Sequence, residues 1–460
     1  MSAVRDRSSV VPRARAILRH ETLDCAPLDP IALFAAAVSR GAAAVAWLRP
    51  GEGTALVAAG AALTLEARGP DRLRELRARW AELRAGSEAD PGLRAFVGCS
   101  FDERVHEDGP DWRDFPSALL VVPELLWESA SGRTRVHAYG TVPGRDPLDG
   151  DLVRLLRAAP PPERALPAGA EVWPELEMPT AARRREAEVR RERELPTAAR
   201  WREEVADVRA SLRSGVVEKV VLARAVRVRA ARADAPAALR ALARRYPDCT
   251  VFAVSRGDSC FLGATPEPLV SLRDGIARAS CVAGTAARGL DAADDRDRAR
   301  SLAASAKDRA EHEPVVRAVR AALEERCAGV TVRGPRPVAL ANLWHLAAEV
   351  EGRARAGVDL LDLAAALHPT PAVCGVPREA ALRVLASREP FDRGWYAGAL
   401  GWVDGAGEGE LVVGLRSALL RDGVAWAFAG CGIVAASDPD AELAESELKL
   451  RPVLEALGAR

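Results

Sequence analysis

Short apolar runs broken by glycine or proline dominate this chain, and they predict many strands with helices between them. AVAWLRP and TALVAAG flank the turn at 51–53 and predict a hairpin. Residues 70–86 place Leu73, Leu76, Trp80 and Leu83 on one helical face. Strands are expected at RAFVGCSF, ALLVVPELLW and TRVHAYG. Residues 1–157 therefore read as an α+β region. His20, His106 and His137 stand isolated within it, as solvated or packed side chains.

The pattern then changes. Residues 158–196 carry a proline-rich stretch and the charge run RRREAEVRRERE, and read as a linker or excursion with at most a solvated helix. From 197 the apolar periodicity returns. Thr197 is placed to cap a helix that buries Trp201, Val205, Val208 and Leu212. Strands are predicted at 216–228, 250–254, 260–264, 268–272, 276–281, 329–332, 345–352, 396–403, 411–420 and 424–433. Helices are predicted at 236–245, 294–327 (kinked at Pro314), 359–367, 378–385 and 439–457. Short glycine turns between successive strands favour antiparallel or mixed sheets over a doubly wound parallel one.

Composition narrows the class. At 460 residues the chain can bury one large core or two ordinary ones. Its formal net charge is zero, which argues against nucleic acid as a partner. The eight cysteines are scattered without a CxxC pair and read as free thiols of a reducing, cytoplasmic compartment. No apolar run is long enough to suggest a membrane span.

Lysine usage is the most telling feature. Of 65 Lys+Arg residues only Lys219, Lys307 and Lys449 are lysines. Arginine supplies positive charge elsewhere, so a retained lysine suggests a compact ammonium or an amine able to lose its proton. Lys219 sits in the middle of the apolar run VVEKVVLAR, where a lysine is rarely buried without a partner or a task.

Acidic residues supply a second theme. Glu442, Glu445 and Lys449 share one face of the last helix, and Lys307, Asp308 and Glu311 crowd a second helix. Acids at a helix start also complement its dipole, and that reading stands beside a hard-cation site of the Mg²⁺ type. Glu267, between apolar strands in FLGATPEPL, would have a raised pKa and could serve as a general acid. The glycine-rich stretches AGCGI and Gly284–Thr285 read as turns offering backbone N–H groups to a carboxylate, or as ordinary turns or bulges. Arg416, read as lying mid-strand, would clamp a carboxylate or pair with a structural acid.

In order, the stretches VVEKVVLARAV, FLGATPEPL, VAGTAARG, SAKDRAEHEPVV, LWHLAAEVEG, LHPTPAVCG, RGWYAGALGW and AGCGIVAASDPDAELAESELK resemble the chorismate-utilising enzymes and, within them, the isochorismate synthase branch. The resemblance covers roughly Trp201–Leu454, a little over half of the chain, and the more divergent first region is similar to the family's first half. It implies an α+β fold of two packed antiparallel or mixed sheets flanked by helices. It also implies that 158–196 interrupts one fold rather than joining two.

By this resemblance Lys219 is the base that activates water, and Glu267 is the acid that protonates the departing hydroxyl of chorismate. Glu311 and Glu445 are implied Mg²⁺ ligands, with Glu442 at a water-mediated position. Arg416, Lys449, Gly430 and Gly432 would hold substrate carboxylates, and Thr285, His345 and Ala372 would line the pocket. Anthranilate synthases carry glutamine at the Lys219 position, and aminodeoxychorismate synthases carry a lysine where Ala283 stands here. A salicylate synthase, which also eliminates pyruvate, remains an alternative, as does a catalytically inactive binding subunit. Menaquinone and siderophore pathways are both open for the product, and a monomer or weak homodimer is expected. Two departures stand out: Cys431 where the family usually has alanine, and Gly414 where alanine usually precedes the strand arginine.

Overall fold

The computed structural model describes residues 19–86, 92–103, 109–130, 132–140, 190–213, 215–229, 234–340 and 343–458. Their strands form two sheets, one of twelve strands and one of nine. Every neighbouring pair runs antiparallel, so the mixed alternative falls away.

The larger sheet begins with Arg19–Cys25, Arg133–Gly140, Leu125–Ala130, Thr54–Ala59 and Ala44–Arg49. It continues through Thr250–Arg256, Ser259–Thr265, Ser417–Arg421, Val424–Ile433, Lys219–Arg229 and Gly375–Val376, and Arg190–Leu195, the twelfth strand, also pairs with Lys219–Arg229. The smaller runs Cys327–Ala339, Leu343–Ala354, Ile276–Ala287, Pro268–Arg273, Gly409–Val413, Ala399–Asp404, Arg94–Cys99, Ala118–Val122 and Leu63–Ala67. Each sheet joins a block of strands from the first half of the chain, edge to edge, with a block from the second half.

Period-two alternation explains the layering. On the larger sheet Leu56, Phe252 and Phe261 join a core that includes Phe96, Leu120 and Val412 of the smaller one. Their neighbours Val57, Val251, Ala253 and Leu262 point the other way. There they meet Phe34 of helix Pro30–Val38, Leu239 and Leu242 of Ala235–Arg245, and Val453 of Pro439–Ala456. Helix Ala306–Glu324 packs Val315, Val319 and Leu323 into the first core. Thr197 caps helix Ala198–Leu212 as its spacing predicted, and Trp201, Val205, Val208 and Leu212 are buried.

Several expectations need correction. ALLVVPELLW and 411–420 each read as one strand, yet each is two strands in different sheets. The first divides at Pro123, which has no N–H for a ladder, into Ala118–Val122 and Leu125–Ala130. The second divides into Gly409–Val413 and Ser417–Arg421. Arg416 is therefore not mid-strand; it sits at the crossing with φ 49°. The strands beside each crossing are largely buried, so they read as near-continuous apolar runs with no change of alternation to mark the change of sheet.

The helix expected over 294–327 is two, Ala292–Ala304 and Ala306–Glu324. The break falls at Ser305, whose hydroxyl accepts the Asp308 N–H at 3.2 Å, and Pro314 lies inside the second helix. Arg190–Leu195, read as part of a linker, is a strand on Lys219–Arg229; 158–189 lie outside the described residues. Lys219 opens its strand rather than occupying the middle. Gly430 and Gly432 lie within strand Val424–Ile433, not in a turn. His20 and His137 are not isolated: their ring nitrogens are 2.8 Å apart, and His137 also meets Glu128 at 3.3 Å. His106 lies outside the described residues. Among the described residues no helix is long and apolar enough to cross a membrane.

Candidate active site

Strand Val424–Ile433 lies antiparallel to Lys219–Arg229, with Gly432 opposite Val221 and Gly430 opposite Ala223. Beside them, helix Ala306–Glu324 brings Glu311, and the last helix brings Glu442, Glu445 and Lys449. A cleft with an empty volume of about 670 Å³, its open mouth included, lies against these elements. Of the residues expected from sequence, Glu267, Thr285, Glu311, His345, Ala372, Arg416, Gly430, Gly432 and Lys449 line it. Lys219, Glu442 and Glu445 are not part of that lining: Lys219 meets Glu311 and Glu445 meets Lys449 on it, while Glu442 meets Lys307.

The three lysines each meet one carboxylate. Lys219 is 1% exposed, and its Nζ lies 3.2 Å from Glu311 Oε1. Lys307 Nζ lies 2.9 Å from Glu442 Oε1. Lys449 Nζ lies 2.6 Å from Glu445 Oε1 and donates to the Gly430 carbonyl at 2.9 Å. Burial opposes the charge on Lys307, but Glu442, Glu445 and Glu311 outweigh it and hold the ammonium above its usual range. Lys449 is likewise raised against burial by Glu445. Burial and the Glu445 charge push Glu442 up, whereas Lys449 and Lys307 overcome burial to hold Glu445 down.

Gly432 makes the Lys219–Glu311 contact possible. A Cβ there would fall 2.2 Å from Glu311 Oε1 and 2.7 Å from Lys219 Cε, so any side chain would push the pair apart. Gly284 does a different task. At φ +80° it sits at a register shift in the pairing of Ile276–Ala287 with Leu343–Ala354, and its carbonyl meets His345 Nδ1 at 3.2 Å. The Thr285 hydroxyl lies 3.1 Å from the same nitrogen. Arg416 Nη2 lies 3.2 Å from His345 Nε2. A guanidinium only donates, so Nε2 accepts and the proton belongs on Nδ1. Burial, with Arg416 adding to it, pushes His345 down to about 3, so the ring stays neutral.

Glu267 is 5% exposed. Burial raises its carboxyl to about 7, and the charges of Lys219, Lys449 and Arg416 only partly offset this. An acid that holds its proton near neutrality thus shares a cleft with a buried lysine. That is the pairing a proton-assisted addition and elimination requires.

Sequence reasoning gave no role to Arg393 or Tyr396, which also line the cleft. Arg393 is buried, pairs with Glu389, and donates to the Val373 and Val221 carbonyls at 2.8 and 2.6 Å. It joins the Ala372–Val373 wall to the strand of Lys219. Tyr396 stacks on Phe428, with ring centroids 5.0 Å apart. Both lie in RGWYAGALGW, and an arginine beside aromatics in an apolar run was the available signal.

The donor set suits a divalent cation. Glu442, Glu445 and Cys431 place ligand atoms within 4.8 Å of one another. Glu311 stands on the Lys219 side. The lysine ammoniums already occupy cation positions against these carboxylates, and oxygen donors of this kind fit a hard ion such as Mg²⁺.

The chain belongs to the chorismate-binding enzymes: the family model described as chorismate binding enzyme matches residues 8–458. Within that family its relatives include the salicylate biosynthesis isochorismate synthase of Pseudomonas aeruginosa. That protein is 37% identical over 455 residues, which cover 97% of this chain and 91% of the relative. The isochorismate synthase EntC of Escherichia coli is 41% identical over 258 residues, 55% of this chain and 66% of the relative. The solved menaquinone-specific isochorismate synthase MenF of Escherichia coli superposes with a TM-score of 0.76 over 96% of this chain and 94% of its own. At 24% identity that is a likeness of fold.

Proposed function

We propose that this protein is an isochorismate synthase that converts chorismate to isochorismate. The carrying observation is the cleft itself, where Glu267 has its carboxyl raised to about 7 by burial and Lys219 is buried beside Glu311. In this reading the Lys219 amine takes a proton from water as its oxygen bonds to C2 of the ring. The ring double bonds shift, and the C4–oxygen bond breaks. Glu267 gives its proton to that oxygen, which leaves as water. One water enters and one departs, so the net change is isomerisation.

Arg416 and Lys449 hold the substrate's carboxylates. Neutral His345 accepts from Arg416 and fixes the guanidinium in the cleft. Glu311, Glu445 and Glu442 are the residues that would hold Mg²⁺, which when bound would neutralise the ring carboxylate. The relative matched over nearly the whole chain is named for salicylate biosynthesis, and this supports a product destined for salicylate.

Product analysis with chorismate and Mg²⁺ tests the proposal. A chorismate–isochorismate mixture without pyruvate is expected. Salicylate with pyruvate would instead assign a salicylate synthase, and no turnover by folded protein would refute an enzyme of either kind.

A further inference from the structure

We propose that a second cavity, on the face of the smaller sheet turned away from the core, is the entry vestibule of the catalytic cleft, and that Arg333 and Arg336 draw the dicarboxylate substrate into it. The inference rests on the chorismate reading above. It adds two residues that lie outside every stretch carrying the family resemblance.

Strand pairing builds the cavity. In Cys327–Ala339, Leu343–Ala354 and Ile276–Ala287, residues directly opposite one another share a face of the sheet. Three successive rows on one face are Arg333–Glu349–Ser280, Arg336–Ala347–Val282 and Val338–His345–Thr285. Cys281 and Ala348, between these rows, belong to the core on the other face. Successive rows stand about 7 Å apart along the strands. The first two rows, with Val338, His345 and Pro266, line a cavity with an empty volume of about 870 Å³, its open side included. Pro266, Val282 and His345 line the catalytic cleft as well, so the two spaces adjoin there. Pro266 directly precedes Glu267, and His345 accepts from Arg416. The rows therefore lead from exposed arginines to the residues assigned to the chemistry.

Charge selects the occupant. Both arginines are exposed. Among the described residues no hydrogen bond or ion pair holds the Arg336 side chain. Arg333 has Glu351 at 3.8 Å, and that carboxylate already accepts from Arg278 at 2.8 Å. Glu349 is the acid of the lining, so two guanidiniums stand against one carboxylate and the walls are positive. Val282, Ala347 and Val338 form an apolar floor between them. A small ring bearing carboxylates fits such a surface, and that is the chemistry of the proposed substrate. Attraction of a dianion by exposed charges acts over about 10 Å and fades as salt shortens that range.

The test compares wild type with Arg333→Gln/Arg336→Gln, Arg333→Lys/Arg336→Lys and Glu349→Gln at about 10 mM and about 500 mM ionic strength. Turnover is measured in Mg²⁺. Chorismate binding is measured by calorimetry, also in Mg²⁺, with each change placed in a Lys219→Ala background. At low ionic strength the double glutamine variant should lose about three- to tenfold in affinity and in kcat/KM, with kcat unchanged. The double lysine variant should keep wild-type values, because charge rather than the guanidinium fork acts at this range. Glu349→Gln should gain up to about threefold. All these differences should vanish at high ionic strength. A double glutamine variant equal to wild type at low salt, a loss that persists at high salt, a fall in kcat alone, or no chorismate binding would each overturn the inference. Affinity that depends on the arginines, without turnover by wild type, keeps the vestibule and removes the proposed activity. Turnover that ignores the arginines does the reverse.

Discussion

Glu267 is the residue whose environment makes the sharpest statements. Its folded value of about 7 lies above the ordinary 4.5. Stability from its neutral form is therefore complete below about pH 4.5 and is lost as the pH rises through about 7. Glu267→Gln escapes that loss. The variant should gain stability relative to wild type between about pH 5 and 8, by roughly 3 kcal/mol at most, as followed by denaturant unfolding at each pH. Its activity should fall about 10²–10⁴-fold. In wild type, turnover that depends on the protonated acid should decline as the pH passes about 7, and a profile flat to pH 9 would count against the assignment. Lys219→Ala should fold yet lose turnover, and normal turnover in that variant would remove the lysine from the chemistry. These two residues were legible in the sequence for a plain reason: a lysine and a glutamate stood in apolar runs of a chain that otherwise spends arginine freely. Arg416 was legible as a candidate but not in its setting. Nothing in GLRSALL marks a positive φ or a change of sheet.

At the level of elements, two helix starts position the acids, and each has a serine or aspartate cap. Asp438 accepts the Asp440 and Ala441 N–H groups at the head of the helix that carries Glu442 and Glu445. Asp438→Ala should cost about 1 kcal/mol in stability and weaken Mg²⁺ binding, both measurable by calorimetry. Unchanged stability would show that packing of Leu450 and Val453 further along holds the helix without its cap. The last helix was readable from periodicity and its Asp-Pro start. The break at Ser305 was missed although Ser-Ala-Lys-Asp has the Ser-x-x-acid spacing of a capped helix start, because helical periodicity runs on both sides of it. The strand Arg190–Leu195 was hidden for the opposite reason. Its residues are nearly all charged, and their partners lie on other elements: buried Arg224 of the neighbouring strand meets Glu194 at 3.0 Å, and Glu447 of the last helix meets Arg191 at 2.7 Å.

For the whole molecule, the continuity of both sheets across the two halves of the chain outweighs the apparent boundary near 158–196. Ala44–Arg49 lies against Thr250–Arg256, and Arg94–Cys99 against Ala399–Asp404. A fragment beginning at 197 would leave both partners with open edges and should not fold into a soluble monomer. The intact chain should unfold in one cooperative transition, and two separated calorimetric peaks would speak for independent domains.

The matching of three lysines to three carboxylates carries one more implication. Each of these carboxylates already has a positive partner, in surroundings that tolerate little net charge. A dication arriving alone adds two units of charge, and a dicarboxylate arriving alone does so with the opposite sign. Together they cancel. Metal and substrate should therefore bind with positive coupling. By linkage, the factor by which chorismate tightens Mg²⁺ must equal the factor by which Mg²⁺ tightens chorismate.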